Sequence, residues 1–220
     1  MASVYLFLLG LSAGLTLVTI SASHRLSPSW LKWLLVAAGA FIISRYVTQA
    51  LFASTLSVER VWGFRRCWFA TSLGFPLLAA CAVDQLIRHP AMTPKKLLTW
   101  LSPFLAIYGA IILFAPMTAT PDQVAGWTVH LPPVWQRLLG MTHLVYTACF
   151  IAVCVMVMGK IPSPPIRIAL AGLIGAFLLL SLDGVLAAFH IRYFRPYLFS
   201  ELVMLLALWH AFETAAIQSS

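Results

Sequence analysis

Seven long apolar stretches follow one another along this chain, and they decide what it can fold into. They cover about residues 2–22, 30–53, 66–87, 98–116, 136–158, 165–190 and 196–216. A helix needs about 20 predominantly apolar residues to cross the hydrocarbon of a bilayer, and inside lipid its backbone must satisfy its own hydrogen bonds. The expected fold is therefore all-α, a single polytopic bundle of seven transmembrane helices over residues 1–220. Composition agrees: 61% of the residues are hydrophobic and 9% charged, outside the soluble globular range. The spans consume nearly all of the 220 residues, which leaves no room among them for a soluble catalytic or DNA-binding domain. The net charge of +8 sits in loops beside apolar spans, so membrane lipid headgroups, rather than nucleic acid, are the expected counter-charge.

The first stretch, MASVYLFLLGLSAGLTLVTISA, has no basic residues ahead of its apolar run and is expected to stay as a helix. Cys67, Cys81, Cys149 and Cys154 form no CxxC pair and read as small apolar residues. Pro76 falls inside the third stretch and should kink it unless neighbours re-satisfy the freed carbonyl, whereas most other prolines fall in connections. With the N-terminus outside, the inner loops carry Arg25, Lys32, Arg88, Lys95, Lys96, Lys160 and Arg167. The outer loops then carry Arg60, Arg65, Arg66, Arg137, Arg192 and Arg195. The totals are nearly equal, but all four lysines lie on the first side. The long connection Met117 to Trp135 holds no basic residue between its ends and lies on the second side. N-outside, C-cytoplasmic is the orientation this favours.

Charges inside such spans are costly and mark a functional site by default. Counting ~1.5 Å of rise per residue from the segment ends, Arg45 lies roughly 12 Å deep, His143 and Asp183 roughly 10 Å and Glu201 roughly 8 Å, all from the same side. Tyr108 and Gln49 fall near this layer. His190, Arg192 and Arg195 rim it at the last turn, and Arg65 with Arg66 flank the entry to the third helix. Three readings are open. Arg45 pairs with Asp183 or Glu201 in a network that holds helices together; or the layer is an outward pocket with Arg45 as anion anchor. Otherwise His143, Asp183 and Glu201 hold a zinc ion with an open position, which would suit hydrolysis or acyl transfer on lipid. No cofactor is expected: a haem between His143 and His190 fits poorly, because the two differ in depth by roughly 10 Å. Walker and HExxH patterns are absent from the sequence. Gly172 and Gly175, with Ala169 and Ala176 nearby, make a small-residue surface suited to close helix packing or dimerisation.

Trp62-Gly63-Phe64-Arg65-Arg66 entering the third helix, Gly74-Phe75-Pro76-Leu77-Leu78 within it, and Leu101-Ser102-Pro103-Phe104-Leu105 in the fourth give the chain a likeness to a known type. It resembles the seven-helix N-terminal membrane sensor modules of bacterial histidine kinases and membrane-anchored AraC-type regulators. The resemblance implies signalling at a bacterial inner (plasma) membrane. It departs from those modules in having no kinase or helix-turn-helix domain within these 220 residues, so a signal is expected to pass to a separate protein. The expected role is non-enzymatic: a ligand-receiving or partner-regulating subunit built on Arg45, Tyr108, His143, Asp183 and Glu201. The partner would be a membrane protein or a second copy, and the ligand a small molecule. A lipid-directed metal-assisted enzyme and a structural subunit of a larger complex are the alternatives.

Overall fold

The computed structural model describes residues 2–24, 29–88, 93–123, 125–188 and 197–218. Helices α1 (Ala2–His24), α2 (Ser29–Ser54), α5 (Pro94–Phe114), α6 (Pro133–Met158), α7 (Pro164–Ala188) and α8 (Leu198–Ile217) coincide with six of the expected spans. The remaining span opens with the single turn α3 (Val58–Val61) and a 3-10 segment, Trp62–Phe69, then continues as α4 (Thr71–Ile87). Among the described residues seven helices are thus long and apolar enough to cross a membrane. Several prolines assigned to connections are the first residues of helices. Pro94, Pro133 and Pro164 open α5, α6 and α7, where the missing N–H removes a donor that has no intrahelical partner. Thr93 completes the start of α5 by accepting the Lys96 N–H at 3.3 Å.

Packing follows from periodicity. Along α2 the residues Leu31, Leu35, Ala38, Ile42, Tyr46 and Gln49 recur every three or four positions and are buried, and Arg45 lies on the same stripe. Along α8 the stripe is Leu198, Glu201, Leu205, Leu208, Phe212 and Ala215. Each polar residue is carried inward by the same spacing that buries its apolar neighbours. Helix α4 is buried along most of its length and touches α2, α5, α6, α7 and α8, so it is the axis of the bundle. Two features allow this. Gly74 lets α2 come so close that an added Cβ would meet Ile42 and lie 2.8 Å from the Ala38 carbonyl oxygen. The helix also runs unbroken through Pro76, whose own carbonyl accepts the Tyr146 hydroxyl of α6 at 2.9 Å.

The connection from Met117 to Trp135 is not plain loop. It forms an antiparallel hairpin, β1 (Thr118–Asp122) with β2 (Gly126–His130), in register Thr118 to His130 and Asp122 to Gly126. Asp122 accepts the Ala125 N–H at 2.9 Å and closes the turn. Gly126 has φ +65° and lies against Phe52 and Ala53 at the end of α2, where a Cβ would collide with backbone. Val129, Met117 and Leu131 join Phe52, Val61, Trp68, Ile111 and Ala115 in a second apolar cluster that seals this end of the bundle. The hairpin is an addition to the all-helical expectation. Its strands are only five residues long and the first contains Pro121, so the usual strand signal is weak.

Candidate functional site

Arg45 reaches from α2 towards the junction of the 3-10 segment, α4 and α8. Its Nη1 donates to the Trp68 carbonyl at 2.8 Å, and its Nη2 lies 3.1 Å from Glu201 Oε1. The Thr71 hydroxyl, in the first turn of α4, donates to the same Oε1 at 3.2 Å. Arg45 is 7% exposed and Glu201 2%, so the pair is withdrawn from any surrounding solvent or lipid. Glu201 is the fourth residue of α8, and the positive end of that helix favours a carboxylate there. The helix starts at Leu198 rather than 196, which puts Glu201 in the first turn and closer to the helix end than the segment count suggests.

The pair is incomplete. Among the described residues, Arg45 Nε and Glu201 Oε2 are buried without a hydrogen-bond partner, as is the hydroxyl of the adjacent Tyr46. That hydroxyl approaches both Glu201 and Ser12 without completing hydrogen-bond geometry to either. One carboxylate oxygen therefore accepts twice and the other not at all.

Asp183 does not pair with Arg45. Its Oδ2 accepts the Tyr197 N–H at 3.1 Å and the Ser200 hydroxyl at 2.5 Å, which makes it a cap for α8 supplied by α7. Tyr197 stands at φ 73°, and the turned backbone there is held by this carboxylate. Asp183 and Glu201 nevertheless belong to one neighbourhood, since both act electrostatically on Tyr197, as does Arg45.

His143 and Tyr108 sit elsewhere. The His143 ring on α6 meets the Tyr108 hydroxyl of α5 through Nδ1 at 3.4 Å and lies beside Phe177 of α7, next to the rings of Tyr146, Phe150 and Phe104. The equal depth expected of these residues does not make one site of them. The stripe of α6 that carries His143 faces α5 and α7, whereas Arg45 and Glu201 meet on the α2, α4 and α8 side. The conditional zinc set of His143, Asp183 and Glu201 is therefore corrected: the three do not converge, and no group of three metal-ligating residues occurs among the described residues. The lipid-directed metal chemistry that depended on that set loses its geometry.

The rim divides as well. Arg66 turns inward, its Nη1 donating to the carbonyls of Ile112 and Ala115 at 2.9 and 3.3 Å, so it caps the C-terminus of α5. Arg65 lies over the Trp62 ring at 4.9 Å and donates to the Trp62 carbonyl. His190, Arg192 and Arg195 lie outside the described residues. The sequence reading missed Tyr46, Thr71 and Ser200. Ser200 had a local signal, a hydroxyl in the first turn of a helix next to a buried glutamate; Thr71 had none, because only tertiary packing brings α4 to α8. Gly172 and Gly175 line an open face of α7, with nothing within 4 Å of an added Cβ. No family model matches the chain, and no curated protein matches it.

Proposed function

We propose that this chain is a non-enzymatic integral membrane protein that receives a small ligand at the Arg45–Glu201 cluster and passes the event on through the packing of α8. The observation that supports this is the half-finished ion pair. A purely structural pair at this depth would be expected to satisfy both carboxylate oxygens and the guanidinium edge, because bare polar atoms in an apolar interior cost about 1–3 kcal/mol each. Here a donor on Arg45 and an acceptor on Glu201 are both left bare. Asp183 and Ser200 tie the same end of α8 to α7, so a ligand that moves Glu201 acts on a helix held by three others. The hairpin would lie on the outer face in the favoured orientation, over the end of the bundle nearest the cluster.

Native mass spectrometry of the full chain, purified in mild detergent, tests the reading. A small molecule retained by the wild type and lost in Glu201→Gln is the expected result. Wild-type protein that carries no bound mass would count against it.

A partner role is supported by a separate observation, the open face of α7. Ile168, Leu182 and Val185 are exposed on α7 together with Gly172 and Gly175, which lets a second helix approach closely. Replacing both glycines by isoleucine is expected to leave the melting midpoint of the isolated chain unchanged while abolishing a dimer or partner complex seen by crosslinking in membranes. Crosslinking that persists unchanged in the double variant would remove this face from consideration.

A further inference from the structure

We infer that the guest of the Arg45–Glu201 cluster is a neutral hydroxyl group rather than an anion. This rests on the ligand-receiving reading above and names the chemistry of its ligand. The charge on Arg45 is already matched by Glu201 at 3.1 Å. A second carboxylate or phosphate on the same guanidinium would set two anions against one cation in a buried site, with Asp183 close by, and each added like charge is disfavoured there.

What the cluster lacks is not charge but hydrogen bonds. Within the cluster the bare atoms are one donor, Arg45 Nε–H, one acceptor, Glu201 Oε2, and one hydroxyl able to do either, Tyr46 Oη. The three atoms belong to side chains that already meet: Arg45 contacts Glu201 at 3.1 Å, and Tyr46 interacts with both of them. A hydroxyl accepts from Nε–H, donates its own proton to Oε2, and uses its second lone pair for the Tyr46 hydroxyl. It satisfies all three bare atoms without disturbing the Arg45–Oε1–Thr71 bonds. A carboxylate has no proton to give to Oε2, and an ammonium cannot accept from Nε–H.

The hydroxyl belongs either to water or to an alcohol-bearing solute, and one experiment separates them. The melting midpoint of the full chain in detergent is measured with 1-octanol, with octanoate and with no addition, for wild type and Tyr46→Phe, alongside an experimental structure that resolves ordered water. The expected result is a rise of about 2 to 4 °C with octanol at roughly five times its Kd, lost in Tyr46→Phe, and no rise with octanoate. If neither probe acts and a single ordered water bridges Nε, Oε2 and Tyr46, the hydroxyl site stands with solvent as its source, and the ligand-receiving reading falls. A rise with octanoate that is lost in Arg45→Gln overturns the hydroxyl assignment and leaves that reading intact. Direct closure of Nε on Oε2 with no guest overturns both.

Discussion

Glu201→Ala is expected to destabilise the bundle by about 3–5 kcal/mol, because it leaves the Arg45 guanidinium buried without its counter-charge. The magnitude distinguishes two effects. If only an interhelical hydrogen bond were lost, the cost would be nearer 0.6 kcal/mol, the average for such bonds in membrane bundles, and below about 2 kcal/mol in any case. Thr71→Val removes a donor to Oε1 and no charge, so it belongs to that smaller class. The double variant Arg45→Met with Glu201→Leu should recover most of the loss, since both charges go together and apolar side chains of comparable length fill the stripe. Reversible unfolding in mixed micelles checks the order: Glu201→Ala far below Thr71→Val, with the double variant between wild type and Glu201→Ala. A Glu201→Ala variant no worse than Thr71→Val would mean that the pair carries no net charge interaction.

The second large effect is expected at Gly126. Alanine there must hold φ +65°, which costs about 1–2 kcal/mol for a residue with a Cβ, and that Cβ collides with the Phe52 carbonyl and the Ala53 backbone. Backbone cannot rotate away as a side chain can, so overpacking adds about 1–3 kcal/mol more. The damage should be local. The hairpin is joined to the bundle mainly through Phe52, Val129, Met117 and Leu131, and only its turn residue Ala125 belongs to the cluster around α4. Gly126→Ala is expected to speed amide exchange over Thr118–His130 by about 10²-fold or more, at roughly 1.4 kcal/mol per factor of ten, while exchange in α4 and α8 stays at the wild-type rate. Equal protection of the hairpin in both proteins would show that the backbone contact carries no strain.

How much of the site could be read beforehand depends on which residue is asked about. Arg45, Asp183 and Glu201 announce themselves because a charge in a lipid-like run has few explanations. Their depth along the helix can be estimated from residue rise alone. Depth is one coordinate of three, however. The lateral placement that sends Glu201 to Arg45, Asp183 to the start of α8 and His143 to Tyr108 depends on which helices are neighbours. No local pattern in this chain states that. Arg66 shows the same limit: the sequence places it at the entry to the third helix, and only the position of the α5 carbonyls reveals it as a cap.

The sequence by itself determined the seven apolar helices, their approximate ends and which polar residues fall inside them. Those features depend on residue type and spacing within a single segment, and a bilayer-length apolar run admits few other conformations. Tertiary structure alone decided that α4 is the axis, that the long connection folds back as a hairpin on α2, and that those polar residues divide into an ion pair, a helix cap and an aromatic-lined histidine. The reason is physical: among apolar helices the choice of neighbour is made by shape, through contacts such as Gly74 against Ala38 and Tyr146 against Pro76, and such complementarity exists only between segments.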